Sequence, residues 1–166
     1  MMLKAFKVNP NAVIPSFATE QSACFDLTAC LLGVDKIKAY TRTNEPMELY
    51  CTDRVEIPAE FRVLIPTGLI FDIPENHSVR VHPRSGLSFK NGLVTQNAEG
   101  IIDSDYVEEC FVMLKNDSLN RITIEHGMRI AQAELIKNLD YTIFEYLERP
   151  DKKTTRNGGF GSTGVK

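Results

Sequence analysis

Three short segments of this sequence carry residue types that could bind and attack a phosphate compound. The first is Gly100–Tyr106, which reads GIIDSDY and passes from two apolar residues directly into an acid–polar–acid–aromatic cluster. A carboxylate at the end of a strand acts as a general base when a water molecule lies within hydrogen-bond reach. An Asp-rich turn with no catalytic role is the alternative interpretation of the same residues.

The second segment is Pro83–Leu87, which reads PRSGL. The pattern predicts that a strand ends here and a helical turn begins, so the first amide groups of that turn are available to an anion. Ser85 adds a hydroxyl, Arg84 adds positive charge, and Gly86 allows the backbone to approach closely. The alternative is that Ser85 is only a helix N-cap.

The third segment is Gly158–Gly164, which reads GGFGSTG and offers backbone amides, two hydroxyls and one aromatic ring, Phe160. It lacks the Gly-Lys-Ser/Thr ending of a P-loop. It lies in residues 150–166, whose Gly, Thr and Lys content predicts a flexible tail. A frayed terminus and a lid whose ring covers a ligand are the two interpretations.

Short apolar runs separated by turn signals make up most of the remaining chain, which favours an all-β barrel or sandwich. One short helix is predicted after Ser85, ending near Gly92. Residues 31–51 are polar and irregular, and we expect a long surface loop there. The predicted strands are Phe61–Ile65, Leu69–Ile73, Val79–His82, Phe111–Leu114, Ile122–Ile124, Ile130–Leu135 and Tyr141–Phe144.

Bulk composition limits the class of protein. The chain has 166 residues, 43% of them hydrophobic, which suits one domain, residues 1–149, followed by the tail 150–166. A net charge of −3 argues against stable nucleic-acid binding, and no apolar run is long enough to span a membrane. The start of the chain does not resemble a secretory signal, and the four cysteines have no zinc-ligand spacing. We therefore expect reduced cysteines and a cytoplasmic protein.

The segments, with two more, resemble the trimeric dUTPase family from Ala23 to Gly164. Five motifs occur in the family's order: Ala23–Ala29, Pro83–Ser88, Gly100–Tyr106, Gly127–Gln132 and Gly158–Gly164. The resemblance implies a distorted β-barrel or jelly-roll-like all-β fold with one short helix and a flexible C-terminal tail. It also implies a homotrimer whose active sites are each built from three chains, and hydrolysis of dUTP to dUMP and pyrophosphate.

The resemblance also implies roles for individual residues. Asp103 matches the acid that orients the water attacking the α-phosphorus, and Tyr106 matches the tyrosine that packs under the deoxyribose. Uracil is expected to be bound by a hairpin and by a stacking ring from the tail: Asn97, Gly100, Ile102 and Phe160. The phosphate-binding positions are Arg84, Ser85, Gly86, Gln132, Gly161, Ser162 and Thr163. Asp26 matches the acid that holds Mg²⁺ through water.

Three departures from the family pattern matter. The tail arginine normally stands where this chain has Thr155, so we expect Arg156 to replace it. Met128 replaces an acid that would be a charge partner for Arg129. Residues 31–51 are longer than usual, and we interpret them as an insertion: either a plain surface elaboration or a protein-binding loop.

Two other functions stay open. A dCTP deaminase or bifunctional relative shares the fold and would release ammonia from dCTP, although the intact IDSDY segment and the tail argue against a pure deaminase. A nucleotide-responsive regulatory protein would use residues 31–51 to bind a partner.

Overall fold

The computed structural model describes residues 2–155 and residue 158. Within these residues one helix, α1, spans Ser85–Asn91. The strands are β1 Lys4–Lys7, β2 Phe25–Thr28, β3 Lys36–Tyr40, β4 Pro46–Tyr50, β5 Arg54–Ile57, β6 Arg62–Pro66, β7 Leu69–Asp72, β8 His77–His82, β9 Leu93–Thr95, β10 Gly100–Asp103, β11 Phe111–Asn116, β12 Ile122–Glu125 and β13 Arg129–Lys137.

The strands form two larger antiparallel sheets and two strand pairs. One sheet has the order β10-β8-β13-β2 and the other β4-β3-β6-β11-β9, while β1 pairs with β7 and β12 with β5. Across the described ranges these sheets stay separate and do not close into one barrel. The predicted all-β fold with one short helix is therefore confirmed as a distorted, jelly-roll-like arrangement.

One hydrophobic cluster is shared by the two larger sheets. Leu27 and Val79 enter it from the four-stranded sheet and Ile65 from the five-stranded sheet, each 0% exposed. Truncating a buried Leu of this kind to Ala typically costs roughly 2–5 kcal/mol. The alternate residues on β8 and β13 face outwards, so the four-stranded sheet has one apolar and one polar face.

The helix α1 ends where the sequence predicts and begins one residue earlier, at Ser85. Gly92 caps its C-terminus in the left-handed conformation, with φ 66°, and its N–H reaches the carbonyls of Leu87 and Ser88. Arg84, which has extended backbone, is the N-cap residue and makes no capping hydrogen bond through its side chain. The alternative in which Ser85 is the N-cap is wrong, because Ser85 is already the first helical residue.

The prediction of an irregular loop at residues 31–51 is wrong. The strands β3 and β4 form a hairpin there, which extends the five-stranded sheet through pairing of β3 with β6. Ile37 and Ala39 of β3 are buried, and they alternate with exposed Lys36, Lys38 and Tyr40. Because every second residue of β3 is exposed, the sequence shows no continuous apolar run there.

The strand predicted at Tyr141–Phe144 is also wrong. The structure has no strand between residues 138 and 150. Ile143 and Phe144 are 85% and 78% exposed, so these side chains do not enter the core of their own chain.

Candidate active site

Four of the five sequence motifs lie on the four-stranded sheet. The first motif contains β2, the second follows β8, the third contains β10 and the fourth includes the first four residues of β13. The strand order β10-β8-β13-β2 makes all four motifs neighbours, although up to about 100 residues of chain separate them. The antiparallel register places Gln132 between Asp26 and His82.

Asp26 joins two arginines at one edge of this sheet. Its Oδ1 lies 2.9 Å from Nε of Arg84, and its Oδ2 lies 3.0 Å from a terminal nitrogen of Arg129. The Asp26 side chain is 20% exposed and the Arg84 side chain 27%. Partial burial strengthens both pairs. The acid holds two guanidinium groups close together, and the cluster of three side chains has a net positive charge.

Because Met128 replaces an acid, the sequence left Arg129 without an expected charge partner. The structure supplies one, since Arg129 forms an ion pair with Asp26. The partner comes from β2, 103 residues earlier in the chain. Arg84 also donates to the backbone carbonyl of Arg129 at 3.4 Å. The second and fourth motifs are thereby linked through one carboxylate and one carbonyl.

The turn between β8 and α1 lies beside this cluster. Gln132 donates from Nε2 to the carbonyl of Pro83 at 3.0 Å, which ties the turn to β13. Ser85 and Gly86 follow in the first turn of α1, and both are exposed. The structure therefore brings together five predicted residues on one edge: Asp26, Arg84, Ser85, Gly86 and Gln132.

A pocket of about 270 Å³ opens at the turn between β9 and β10, two strands that belong to different sheets. Its volume is close to the lower end, roughly 300 Å³, of the usual range for small-molecule sites. Four of the residues predicted to bind base and sugar line it: Asn97, Gly100, Ile102 and Tyr106. Its remaining lining is largely apolar, which suits the faces of a flat ring.

The close packing around Gly100 explains why a glycine stands there. A Cβ at this position would lie 3.1 Å from Cβ of Val81 and 3.4 Å from Nδ2 of the Asn97 side chain. Thr95 stabilises the turn by donating from its hydroxyl to the carbonyl of Ala98 at 2.9 Å. A larger residue would push the start of β10 away from β8 and distort the pocket.

Tyr106 lies on the loop of residues 104–110, which joins β10 to β11. Its N–H donates to the carbonyl of Asp103 at 3.1 Å and its hydroxyl to the carbonyl of Glu109 at 3.0 Å. Burial, more than the nearby acidic groups, raises the pKa of the phenol. The hydroxyl therefore stays protonated at neutral pH and remains a hydrogen-bond donor.

Asp103 ends β10 with its side chain exposed, directly after Ile102 of the pocket. It pairs with Ser78, four residues along β8 from His82, and β10 lies three strand spacings from β2. At about 3.3 Å per residue and about 4.8 Å per strand, Asp103 lies roughly 20 Å from Asp26. One chain therefore does not bring Asp103 together with the cluster at Asp26 and Arg84.

Some predicted positions lie outside the described residues: Arg156, Phe160, Gly161, Ser162 and Thr163.

The structure also shows contacts near the site that the sequence did not predict. His82 lies between Glu134 at 3.1 Å and Glu99 at 3.7 Å, and Arg80 lies 3.4 Å from Glu99. The polar alternation of Arg80 and His82 along β8 is the signal that could have found this network.

Asp26 fits a magnesium ion only through that ion's water shell. Both carboxylate oxygens already contact guanidinium groups, and the described residues contain no cluster of three or more His, Cys, Asp or Glu side chains able to hold a metal. Mg²⁺ commonly keeps several waters and binds through one or two carboxylates together with substrate phosphates. The donor set suits an ion that arrives with its phosphate ligand.

The remaining predictions from composition concern cysteines and membranes. All four cysteines are free, with Cys30, Cys51 and Cys110 buried and Cys24 partly exposed. Burial raises the pKa of Cys110 to about 12, so its thiol is neutral and unreactive at ordinary pH. Over residues 2–155, the single short helix is far from the length needed to cross a bilayer.

These features define an all-β protein with a ring-sized pocket at one part of a sheet and a cationic, partly buried edge at another. The dUTPase family model matches residues 36–164. A deoxyuridine 5′-triphosphate nucleotidohydrolase of Nautilia profundicola is 38% identical over 164 residues, covering 99% of both chains. This chain belongs to the dUTPase family.

Solved structures agree on the fold. A dUTPase of Staphylococcus bacteriophage 80alpha, solved with dUPNHPP, matches with a TM-score of 0.77 at 22% identity and 99% coverage of both chains. A mutant dUTPase of phage phi11 of S. aureus, described with a structural Mg(II) ion, matches with a TM-score of 0.71 at 17% identity, covering 91% of this chain and all of that one.

Proposed function

We propose that this protein is a dUTP diphosphatase, which hydrolyses dUTP to dUMP and pyrophosphate. Such a reaction limits uracil in DNA and supplies dUMP for dTMP synthesis. Family membership supports the activity. The observation that carries the assignment to this site is the pocket that unites Asn97, Gly100, Ile102 and Tyr106, with Asp103 directly beside it.

The base and the sugar are bound in this pocket. Backbone groups of Gly100 and Ile102 and the amide of Asn97 hydrogen-bond the uracil edge, and the closely packed turn before β10 excludes a 5-methyl group. The ring of Tyr106 packs under the deoxyribose and leaves no room for a 2′-hydroxyl. A site that is closely fitted in this way discriminates between substrates through contacts that the wrong substrate does not satisfy.

The chemical step is attack of water on the α-phosphorus. Asp103 orients the water and accepts its proton while the oxygen forms a bond to phosphorus. The bond between the α-phosphorus and the bridging oxygen breaks, and pyrophosphate leaves with the electron pair. No covalent enzyme intermediate is needed, because the carboxylate acts on water and not on phosphorus.

The phosphates are bound at the cationic edge of the sheet. Arg84, the hydroxyl of Ser85 and the amide of Gly86 contact the phosphate oxygens, and Gln132 supports the turn that carries them. Mg²⁺, held near Asp26 through water, neutralises the charge of the triphosphate when it is bound. The remaining contacts are assigned to the tail: Arg156, Gly161, Ser162 and Thr163 at the phosphates, and Phe160 stacked on uracil.

The active unit is a homotrimer with shared active sites. Asp103 and the phosphate-binding edge of one chain lie roughly 20 Å apart, whereas a general base must lie within hydrogen-bond reach of its water. A second chain therefore supplies Asp103 to the phosphates bound by the first. Six large apolar side chains in residues 139–147 are each at least 66% exposed, which supports a surface provided by a neighbouring chain.

The proposal extends to the cellular setting. We assign the protein to the cytoplasm, and its free cysteines agree with a reducing compartment. Stable nucleic-acid binding and membrane binding are not part of the proposal. The β3–β4 hairpin, within the proposed insertion at residues 31–51, is treated as a surface elaboration, and a protein partner there is the alternative.

A nucleotide panel with product identification tests the activity. Purified protein with Mg²⁺ is expected to convert dUTP to dUMP and pyrophosphate and to turn over dTTP, dCTP and UTP far more slowly. Equal turnover of the four nucleotides would contradict the assignment, and ammonia release from dCTP would indicate a deaminase. Binding of a protein partner without turnover would favour a regulatory role.

The variant Asp103→Asn tests the general base. It keeps the size of the side chain and removes its ability to accept a proton, so turnover is expected to fall by roughly 10²–10⁴-fold while dUTP binding persists. Asp105→Asn, two residues later in the same motif, is the matched control and is expected to retain much more activity. If the Asp103→Asn enzyme were active, the general base would have to be another residue.

A further inference from the structure

The loop of residues 104–110 carries Tyr106 but forms no strand of its own. Its position depends on hydrogen bonds made near its C-terminal end. The hydroxyl of Tyr106 donates to the backbone carbonyl of Glu109 at 3.0 Å. The orientation of the tyrosine ring is therefore linked to the position of the Glu109 backbone.

The side chain of Glu109 fixes that backbone to another part of the fold. Its Oε1 accepts a hydrogen bond of 2.7 Å from the N–H of Gly68, in the turn between β6 and β7. Three further bonds join the same turn to Cys110: Thr67 donates from its amide and its hydroxyl to the Cys110 carbonyl, and the Cys110 amide donates to Leu69.

The turn that receives Glu109 is itself closely held. Gly68 has a φ of +70°, and a Cβ there would lie 2.8 Å from Cβ of Ala12 and 2.9 Å from Sγ of Cys30. Both neighbours are buried core residues. The amide that binds Glu109 thus belongs to a part of the chain with little freedom to move.

We propose that Glu109 is a positioning residue for substrate selection: its carboxylate anchors the 104–110 loop to Gly68 and so holds the Tyr106 ring where it excludes a ribose 2′-hydroxyl. This inference rests on the proposed function, because it concerns the sugar specificity of the same site. Glu109 does not line the pocket that contains Tyr106, Ile102 and Asn97. It acts on the substrate only through the tyrosine.

The electrostatic position of Glu109 agrees with this role. Burial raises the pKa of the carboxyl, and the Gly68 amide opposes part of that shift by stabilising the charged form. A half-buried carboxylate costs free energy that a neutral side chain would not. Glutamine keeps the oxygen acceptor without the charge, whereas alanine removes the bond to Gly68 and leaves only the backbone of the loop tied down, through Cys110.

The test compares kcat/KM for dUTP and UTP in the wild type, Glu109→Ala and Glu109→Gln. The dUTP/UTP ratio is expected to fall in Glu109→Ala by roughly tenfold, the discrimination that one steric contact supports. Glu109→Gln is expected to keep most of the ratio. Glu108→Ala, which removes an exposed carboxylate from the same loop, is the control and is expected to leave the ratio unchanged.

Equal losses of kcat/KM for dUTP and UTP in Glu109→Ala would show a structural role alone and would overturn the proposal. A dUTP/UTP ratio in Glu109→Gln as low as that in Glu109→Ala would also overturn it. If Glu109→Ala does not fold, Tyr106→Phe removes the same link from the other side and is expected to lower the ratio similarly. Binding of dUMP and UMP by calorimetry gives the same comparison without turnover. An inactive wild type whose preference for dUMP over UMP falls in Glu109→Ala would sink the proposed activity but support the positioning role.

Discussion

Gly68 combines a left-handed backbone conformation with a lack of space for any side chain. Its φ is +70°, and Ala12 and Cys30 occupy the positions that a Cβ would contact. Gly127, in the turn before β13, has a similar φ of +77°, but among the described residues, its chain neighbours aside, no atom lies within 4 Å of where a Cβ would stand. A substitution at Gly127 therefore tests backbone strain alone, whereas one at Gly68 tests backbone strain together with steric overlap.

Replacing each glycine by alanine is expected to give unequal losses of stability. Gly127→Ala should cost about 1–2 kcal/mol, the strain of one left-handed L-residue. Gly68→Ala adds the overlap of the new Cβ with buried Ala12 and Cys30. Its total loss of stability should therefore exceed that of Gly127→Ala by roughly 1–3 kcal/mol. Urea denaturation of both variants measures the difference, and equal losses would mean that Ala12 and Cys30 move aside without strain.

Most predicted site residues within the described part of the chain lie in two groups, because each motif is short and local. Asn97, Gly100, Ile102 and Tyr106 share a pocket, and Arg84, Ser85 and Gln132 share an edge with Asp26. The pairing of Arg129 with Asp26 was not foreseen, since it depends on a strand register between residues 103 positions apart. Sequence spacing carries no direct record of such a pairing.

At the level of elements, prediction succeeded where apolar alternation was strong and failed where one half of it was polar. The strand β11 and the helix α1 were expected from apolar runs and from Gly92. The strand β3 was missed because Lys36, Lys38 and Tyr40 form its exposed face. Tyr141–Phe144 has the composition of a strand, but strand formation requires a partner edge, which the structure does not provide there.

The exposed apolar segment at residues 139–147 is expected to act between chains. Replacing Ile143 and Phe144 together by Asp should leave each chain folded, because neither residue belongs to the core, but should weaken the trimer and reduce turnover. Tyr50→Asp is the matched control, since Tyr50 is 83% exposed on β4 and lies outside this segment. Sedimentation and circular dichroism check the two parts of the prediction. A stable, fully active double variant would remove the segment from the interface.

At the scale of the whole molecule, the geometry of one sheet is the basis for the proposed homotrimer with shared sites. The strands β10 and β2 are the two outer strands of the sheet, and the residues that matter lie near opposite ends of β8. No rotation of a side chain spans the roughly 20 Å between them. The chain keeps the two halves of the site apart, and in the proposed homotrimer closed symmetry would bring each half against the other half from a neighbour.

Mixed trimers test this arrangement directly. Asp103→Asn removes the proposed base, and Ser85→Asp places a negative charge at the exposed phosphate edge, so each variant alone is expected to be inactive. Refolded together in equal amounts, they should regain about one quarter of wild-type activity, because a site that takes Asp103 and Ser85 from different chains is intact with that frequency. The double variant refolded with wild type should also give about one quarter, whereas a site built within one chain would give about one half. If the two single variants do not complement each other and the double variant refolded with wild type gives about one half of the activity, the whole site lies in one chain.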